Sequence, residues 1–343
     1  MKHFYLIFYL ILMGCQTTNQ TPNEVMKHYY RNGKFNGSIL IAQNNQVIMD
    51  TVFGYRDLHQ KAVLKKETPF YIASLSKSFT AIAMFRLVEK GLLSLDDHAV
   101  KFVGNLPAYA HHMTIKQLLN HTSGIRDYEN ILTKKGLTNN DVIHWLQSQS
   151  GLAFKPGTKF QYSNSGYIIL SLIIENVSGM SYARFLKENI FDPLQMHHTT
   201  VYEPNTVIPD KAVGYNRNKE VEDYSILTTG DGGIYATAED LYKLDKALRT
   251  NQLLSEESTK LLYQTPILEN NTHSEYGSGW FIEKSDGMMI AKHTGGLAGF
   301  RSLFWRDLKN GNTIIALTNQ GDAFPVFDFL NDIKKTLRQQ APE

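Results

Sequence analysis

A serine and a lysine stand three positions apart in Ser74-Leu75-Ser76-Lys77, at the start of a predicted helix. Residues with this spacing share one helix face, so the lysine side chain can reach the serine hydroxyl. A serine hydroxyl is a poor nucleophile until a neighbouring group takes its proton. Lys77 also interrupts an apolar helix, where a charge needs a partner. The pattern predicts Ser74 as a nucleophile, and its alternative is an N-cap serine followed by a solvated lysine.

A second polar group is the triplet Tyr162-Ser163-Asn164, which follows a Pro-Gly loop and precedes an apolar helical segment. The tyrosine pKa of about 10 makes this side chain a poor base unless a nearby lysine charge lowers that pKa. Asn164 can donate and accept hydrogen bonds, so it can hold both Lys77 and a substrate carbonyl. The alternative is a turn tyrosine beside a capping residue.

The third group is His293-Thr294-Gly295-Gly296, placed directly after a predicted strand. Two glycines allow a substrate backbone to approach the strand edge closely. The backbone N–H of Gly296 could complete an oxyanion hole with the N–H of Ser74, which is free at the start of its helix. A glycine bulge that ends an edge strand is the alternative.

These groups are positioned by strands near both ends of the chain and by helices between them. The predicted fold class is α/β (α+β): an antiparallel sheet formed by both termini, flanked by helices, with a mainly helical insertion over about residues 90–270. Thr237 to Asp240 resembles a capping box that opens one helix. The predicted strands are residues 37–42, 47–53, 280–283, 288–292, 300–305 and 313–318, and the clearest helices are 24–31, 74–90, 168–177 and 326–337.

The three groups in this order resemble the class C β-lactamase and penicillin-binding-protein superfamily of serine hydrolases, which includes D,D-peptidases, family VIII-type esterases and D-aminopeptidases. The likeness covers about residues 24–335. It includes further stretches at 121–124, 154–164, 191–194, 232–237 and 276–280.

The resemblance implies that Ser74 becomes acylated and that Lys77 and Tyr162 share the role of base. It implies that Asn164 positions Lys77 and the substrate. Which of Lys77 and Tyr162 takes the first proton stays open at this point.

The same resemblance implies that His293 and Thr294 bind substrate, and that the amides of Ser74 and Gly296 form the oxyanion hole. In β-lactamases the third motif usually begins with lysine, which helps to bind a substrate carboxylate. A histidine there is charged only in part near neutral pH, so we expect weak β-lactamase activity at most. Gln195 replaces a glycine usual in the family, and we expect only a local effect.

The first residues predict export. An apolar run from Phe4 to Met13 ends in Leu12-Met13-Gly14-Cys15, which resembles a bacterial lipobox. We therefore expect a signal peptide over 1–14, lipidation of Cys15, a tether over 15–23 and a hydrolase domain over 24–343. An ordinary signal peptide with a chance cysteine is the alternative. The expected location is a bacterial membrane, with the periplasmic face of the outer membrane as the specific prediction.

Composition limits the remaining function classes. The 343 residues are 42% hydrophobic with a formal charge of +2, which indicates a globular protein and argues against nucleic-acid binding. The histidine pairs at 111–112 and 197–198 lack metal-binding spacing, so no metal or organic cofactor is expected. His121 is interpreted as structural rather than catalytic. The expected partner is a small-molecule or peptide acyl substrate such as an ester, amide or D-amino-acid peptide, including cell-wall fragments. A non-catalytic lipoprotein that binds peptidoglycan is the rival.

Overall fold

The computed structural model describes residues 20–131, 134–223, 226–285 and 287–339, and these hold eleven strands and nine α-helices. The strands are β1 (Gly37–Gln43), β2 (Gln46–Phe53), β3 (Tyr55–Asp57), β4 (Ala62–Val63), β5 (Phe70–Tyr71), β6 (Thr200–Val201), β7 (Ile234–Ala236), β8 (Phe281–Ser285), β9 (Met288–Leu297), β10 (Phe300–Asp307) and β11 (Asn312–Thr318). The helices are α1 (Pro22–Arg31), α2 (Ser76–Glu89), α3 (Ile115–Leu119), α4 (Asn139–Gln147), α5 (Asn164–Ser178), α6 (Tyr182–Leu186), α7 (Ala238–Arg249), α8 (Glu256–Leu262) and α9 (Val326–Gln339).

The central sheet joins the two ends of the chain. Its six strands are antiparallel in the order β2-β1-β11-β10-β9-β8, and β1 pairs with β11 from Gly37 opposite Thr318 to Ala42 opposite Thr313. The β1–β2 turn contains Asn44 and Asn45 at positive φ, a conformation that asparagine tolerates better than most residues. The predicted antiparallel sheet from both termini is confirmed.

Helices cover both faces of this sheet. Helices α1 and α9 pack on one face through an apolar cluster that includes Tyr29, Phe329 and Ile333. Helix α2 lies in the larger core on the other side, and residues on all of its faces are buried. A helix that is apolar all round is stable only when it is surrounded, which is the position that its sequence predicts.

The middle of the chain supplies α3 to α8, as expected from the helical pattern, but it also contains two short strands. β6 and β7 join β5 in a three-stranded antiparallel sheet with the order β5-β7-β6. Because β5 leads directly into Ala73–Leu75, a short 3-10 turn, this sheet fixes the approach to the predicted nucleophile.

Three local predictions are corrected. The third motif lies inside β9, which continues to Leu297. Asn164 is the first residue of α5, whereas the whole triplet was expected in a loop. Thr237 caps α7 by accepting the N–H of Asp240, but the Asp240 carboxylate bonds elsewhere, so only half of a capping box forms. The buried Asp240 carboxylate instead accepts hydrogen bonds from the His198 amide and the Thr199 hydroxyl, which compensate for its loss of contact with water.

The predicted signal peptide, the lipidation site Cys15 and most of the tether lie outside the described residues. Within the part of the chain that the structure describes, no helix is long and apolar enough to cross a membrane.

Candidate active site

Ser74 lies in the 3-10 turn between β5 and α2, where its side chain is partly exposed. The residue before it, Ala73, has φ +49°, a left-handed conformation that costs a non-glycine residue about 1–2 kcal/mol. Strained backbone of this kind persists where the surrounding structure enforces it. Here the hydroxyl of Ser302 on β10 donates to the carbonyl of Ile72 at 2.8 Å, which ties the turn to the central sheet.

Gly295 on β9 packs directly against this turn. A Cβ at position 295 would overlap the carbonyl oxygen of Ile72 and would lie 3.0 Å from the backbone nitrogen of Ser74. Only glycine allows β9 to approach so closely, which is the physical reason for the first glycine of the third motif.

Lys77 is fully buried and has three hydrogen-bond acceptors around its ammonium group. Its Nζ lies 3.1 Å from Oγ of Ser74, 2.8 Å from Oδ1 of Asn164 and 2.8 Å from the carbonyl oxygen of Asp231. The Nζ also lies 4.9 Å from the ring centre of Tyr162. The structure therefore brings together the four side chains that the sequence singled out in its first two motifs.

Tyr162 presents its ring, rather than its hydroxyl, to Lys77. The hydroxyl is buried and has no hydrogen-bond partner among the described residues. The ring is held between the imidazole of His121, with centroids 4.3 Å apart, and the parallel ring of Phe281 at 6.3 Å. Tyr162 is thus fixed by ring packing rather than by a hydrogen bond of its hydroxyl.

Asn164 is held by a carboxylate whose role was not predicted from the sequence. Asp127 accepts the backbone N–H of Asn164 at 2.5 Å, and its other oxygen lies 3.4 Å from the side-chain nitrogen. Because Ser163 gives α5 no side-chain cap, Asp127 supplies the cap and places a negative charge at the helix N-terminus. Asp127 also borders a cavity of about 260 Å³ lined by Arg126, Trp145, Gln149 and Gln161 among others.

His121 supports the same loop from the other side. Its Nδ1 accepts the N–H of Ser163 at 3.1 Å, and its carbonyl oxygen accepts the N–H of Gln161 at 3.0 Å. The ring is therefore the neutral Nε2–H tautomer, and burial lowers its pKa well below the ordinary value, with the charge of Lys77 acting in the same direction. His121 acts on the Tyr162 loop through these contacts, in agreement with the structural interpretation.

Asp231 contributes a second buried carboxyl group near Lys77. Its Oδ2 accepts the hydroxyl of Tyr128 at 2.6 Å, while Oδ1 has no partner among the described residues. Burial raises the pKa of Asp231, and the nearby Lys77 charge opposes that rise. The main-chain oxygen of the same residue receives Lys77, so Asp231 fixes the lysine through its backbone.

The side chain of His293, a residue of β9, is buried rather than accessible. This corrects the expectation that the histidine is partly charged near neutral pH. The Tyr276 hydroxyl lies 3.1 Å from Nε2, and Nδ1 lies 2.6 Å from the carbonyl oxygen of Thr294. With Nδ1 as the donor, Nε2 accepts from Tyr276 and the ring is neutral. Burial, then the charge of Lys77, lowers the pKa of His293 to about 3. The ring therefore carries no charge near neutral pH.

The end of β9 presents a free edge beside Ser74. β8 pairs with β9 only as far as Lys292, and no described strand pairs with residues 293–297 on that side. Leu297 and Phe300 flank the two-residue turn between β9 and β10 and form a hydrogen-bonded pair. Because hydrogen-bonded and non-hydrogen-bonded pairs alternate along antiparallel strands, the next pair, Gly296 and Arg301, is not hydrogen-bonded. The N–H of Gly296 therefore points away from β10. Thr294 is partly exposed and Gly296 is exposed at this edge.

The residues that form this site lie within a segment that matches a known protein family. The profile of the β-lactamase family, described as "Beta-lactamase", matches residues 23–334. The chain belongs to the β-lactamase family. A penicillin-binding protein of Bacillus subtilis (strain 168) is 33% identical over 331 residues, with 89% of this chain and 71% of the relative covered.

Two further proteins resemble this β-lactamase-family chain. "Protein flp" of Staphylococcus aureus (strain MW2) is 32% identical over 320 residues, which cover 88% of this chain but only 63% of that protein. The crystal structure of a penicillin-binding protein from Bacillus halodurans superimposes with a TM-score of 0.81 at 26% identity, covering 92% of this chain and 98% of that one. The fold predicted from the sequence is therefore the fold of the family, which is one of serine hydrolases.

Three residues that shape the site of this β-lactamase-family protein were not predicted from sequence: Asp127, Asp231 and Tyr276. The first follows the His-Thr-Ser-Gly stretch by three positions, and the second precedes Gly232-Gly233, so both lie beside segments that the family resemblance had marked. The contacts that make them relevant are formed only in the folded chain. In the described ranges, no group of three or more His, Cys, Asp or Glu side chains is arranged to hold a metal ion.

Proposed function

We propose that this protein is a serine hydrolase that transfers an acyl group to water through an ester on Ser74. The observation that carries the proposal is the 3.1 Å contact between the Ser74 hydroxyl and the buried Nζ of Lys77. A buried lysine beside an accessible serine is a pairing that activates the hydroxyl for attack on a carbonyl.

The first proton goes from Ser74 to Lys77. To accept this proton, Lys77 must first give up one of its own protons. Its two remaining N–H groups can then donate to the carbonyl oxygens of Asn164 and Asp231, and its lone pair faces the Ser74 hydroxyl. The hydroxyl of Tyr162 has no partner among the described residues, so we assign it to the leaving group. It protonates that group and regains a proton from Lys77.

The oxyanion of the tetrahedral intermediate is bound by the backbone N–H groups of Ser74 and Gly296. Ser74 stands at the start of a helical segment, and Gly296 lies on the free edge of β9 with its N–H directed away from β10. Donors fixed in this way stabilise charge that develops during the reaction, and one such donor contributes roughly 10²–10³ in rate. Asn164 and Thr294 bind the substrate on either side of this point.

The substrate class is an ester, an amide or a peptide containing a D-amino acid, with weak β-lactamase activity at most. Two features support this range: membership of a family with penicillin-binding relatives and the absence of charge on His293. A cell-wall-derived peptide fits the proposed location, which is a bacterial membrane reached through lipidated Cys15, with the periplasmic face of the outer membrane as the specific site.

The test is hydrolysis of p-nitrophenyl acetate and butyrate by the chain from Gln16 onward, compared with Ser74→Ala. Turnover that disappears in the variant supports the proposal. Turnover that survives the substitution contradicts it. Absence of turnover in both proteins would exclude these ester substrates and would favour the rival, a lipoprotein that binds peptidoglycan without catalysis.

The location is tested separately with Cys15→Ser in a bacterial host. The substitution is expected to move the protein from the membrane to the soluble fraction and to prevent incorporation of labelled palmitate. Unchanged membrane association would contradict the lipid anchor.

A further inference from the structure

Helix α1 buries one side against the central sheet and exposes the other. Val25, Met26 and Tyr29 are buried, whereas Lys27 and Arg31 are exposed. Positions 27 and 31 are about one turn apart and lie opposite the buried stripe, so these two basic side chains point away from the protein.

The exposed side of α9 continues the same surface. Tyr29 of α1 packs against Phe329 of α9 with ring centroids 5.2 Å apart, so the two helices are neighbours on one face of the sheet. Phe327, Asn331 and Lys335 recur at four-residue intervals on the exposed side of α9. We call this surface the α1–α9 face, and its main exposed side chains are Lys27, Tyr30, Arg31, Lys34, Phe327 and Lys335.

Three cations of the α1–α9 face have no partner within the protein. The side chains of Lys27, Arg31 and Lys34 form no hydrogen bond and no ion pair with any residue that the structure describes. The nearest acidic group along the helix, Glu24, is engaged by the cap of α1, where it accepts the N–H of Thr21 at 2.7 Å. These three cations are therefore available to an anionic partner.

The positive charge of the chain is concentrated at this face. Residues 22–34 and 326–339 together contain six Lys and Arg residues and three Asp and Glu residues, whereas the rest of the chain from Gln16 onward contains 28 and 30. One of the three acidic residues, Asp332, pairs with Lys335 at 2.9 Å. The face is thus basic on a molecule that is otherwise slightly acidic.

Two exposed aromatic rings lie on the same face. Among the large hydrophobic side chains that the structure describes as exposed, only Tyr30 and Phe327 are aromatic, with exposed fractions of 40% and 62%. The ring of Tyr30 leans on Phe53 with centroids 5.6 Å apart, which fixes its orientation. Lysine and arginine beside exposed aromatic rings are typical of helices that lie in the headgroup region of a membrane.

The position of the predicted lipid anchor favours a membrane over another anionic partner. Cys15 precedes Pro22, the first residue of α1, by seven positions. A fully extended chain spans at most about 3.6 Å per residue, so this segment reaches at most about 25 Å. With Cys15 in the bilayer, α1 begins within that distance of the headgroups, where a basic surface is attracted to anionic lipid.

The active site lies on the opposite side of the central sheet. Leu303 and Trp305 of β10 pack beneath α1 and α9, whereas Ser302 alternates with them and contacts the turn that carries Ser74. The sheet therefore separates Ser74 from the α1–α9 face.

We propose that the α1–α9 face docks on the anionic phospholipid headgroups of a bilayer and directs Ser74 away from the lipid, toward the aqueous side. The inference goes beyond the proposed function. Its argument from the tether rests on the proposed lipid anchor, whereas the contact itself does not require lipidation. A surface with three free cations binds weakly and is released by salt, so Cys15→Ser is still expected to leave membranes that are washed in salt.

The first experiment measures sedimentation with vesicles of the chain from Gln16 onward, which retains every residue of the described fold. Vesicles of phosphatidylcholine with an equal amount of phosphatidylglycerol are expected to bind the protein, and binding should weaken as NaCl is raised. Vesicles of phosphatidylcholine alone should bind little. Equal binding to the two kinds of vesicle, or no binding to either at low salt, would overturn the proposal.

Paired substitutions locate the contact. In the double variant Lys27→Gln with Arg31→Gln, the partition coefficient should fall about 10- to 30-fold, because each cation near an anionic surface contributes about 1 kcal/mol. The matched control is Lys116→Gln with Lys246→Gln, which removes two exposed lysines of α3 and α7, helices that belong to the core on the other side of the sheet. The control should bind like wild type. An equal loss in both double variants would show that only net charge matters and would overturn the proposal.

Thermal unfolding of each variant checks that it is folded. Competition with glycerol 3-phosphate tests the nature of the partner. Displacement from the vesicles by this small anion, at the phosphate concentration of the lipid, would indicate a site for a single anion and would contradict docking on a bilayer. Unchanged binding in its presence supports docking.

The second experiment tests the orientation. Cys15 is the only cysteine, so the chain from Gln16 onward has none and a single introduced cysteine can be labelled specifically. A fluorophore on Asn331→Cys, in the α1–α9 face, should be quenched by lipid that carries a nitroxide on its headgroup, whereas the same fluorophore on Lys116→Cys should not. The reverse pattern, or equal quenching at both positions, would overturn the proposed orientation.

Failure of this inference is distinct from failure of the proposed function. Hydrolysis of the nitrophenyl esters without vesicle binding would overturn the docking surface and leave the proposed hydrolase standing. Binding with the expected loss in the Lys27 and Arg31 double variant, but without hydrolysis, would support the docking surface and leave it independent of catalysis.

Discussion

The carboxylate of Asp127 accepts the backbone N–H of Asn164 at 2.5 Å, and the side chain of Asn164 in turn holds Nζ of Lys77 at 2.8 Å. A residue that contacts neither the nucleophile nor the general base thus fixes the position of both through one intermediate. Asp127 is a positioning residue, and its effect is transmitted by hydrogen bonds that can be altered one at a time.

Two substitutions at Asp127 should separate the effect of its hydrogen bond to Asn164 from the effect of its negative charge. Asp127→Ala leaves the first N–H of α5 unpaired and frees Asn164, so we expect kcat to fall about 100-fold and the free energy of unfolding to fall by about 1–2 kcal/mol. Asp127→Asn retains an oxygen acceptor, and its kcat should stay within about tenfold of wild type. Steady-state kinetics on p-nitrophenyl butyrate and urea unfolding measure both. Equal loss of kcat in the two variants would contradict the positioning role.

His121 offers a second matched pair. It has φ +59° and accepts the Ser163 N–H through Nδ1, and asparagine both tolerates this backbone conformation and places an oxygen near the same point. We expect His121→Asn to keep kcat within about fivefold, and His121→Ala to lose about 100-fold as the Tyr162 loop loosens. A general base would be lost in both variants. Similar inactivation of the two would therefore restore the catalytic alternative for His121.

The neutral state of His293 makes stability depend on pH. Its pKa is lowered to about 3 in the folded protein, whereas an unfolded histidine titrates near 6.5. Below about pH 6.5 the histidine binds a proton in the unfolded chain but not in the folded protein. The free energy of unfolding is therefore highest above that pH and falls progressively as the pH approaches the pKa of the folded state.

From about pH 7.5 to about pH 5, His293 alone should account for roughly 2 kcal/mol of lost unfolding free energy. His121, whose pKa is also lowered, acts in the same direction. Urea unfolding at the two pH values, in wild type and in His293→Gln, measures the contribution. A variant with the same pH dependence as wild type would contradict the assignment of His293 as a buried neutral group.

Gly295 should tolerate no side chain. In Gly295→Ala the new methyl group would overlap the carbonyl of Ile72 and press on the Ser74 amide, and backbone atoms cannot rotate away. We expect kcat/KM to fall at least about 100-fold, since both the nucleophile and one oxyanion donor shift. Gly104→Ala is the control, because no atom lies within 4 Å of its added Cβ. Near-normal activity in Gly295→Ala would contradict the close approach of β9.

Local spacing explains which parts of this site were predictable. Ser74 and Lys77 are three residues apart on one segment, so their contact follows from helix geometry alone. The sheet formed by both termini follows from strand patterns at the two ends, and the structure confirms it. The meeting of these motifs with Tyr162 and Asn164 was implied by the family resemblance rather than by spacing.

Long-range packing explains the rest. Asp127 reaches Asn164 across 37 positions, and Tyr276 reaches His293 from a separate segment, so neither contact has a sequence signature. The charge of His293 depends on its burial beneath β9, which no local pattern reveals.

The central claim is that Ser74 carries the acyl group. The direct measurement is intact-mass spectrometry of protein mixed with p-nitrophenyl acetate and quenched in acid during turnover, followed by peptide mapping. Acylation of Ser74 predicts the added mass of one acetyl group on the peptide that contains this serine, and no such adduct in Ser74→Ala. An acetyl group mapped to another residue, or turnover by the Ser74→Ala protein, would contradict it.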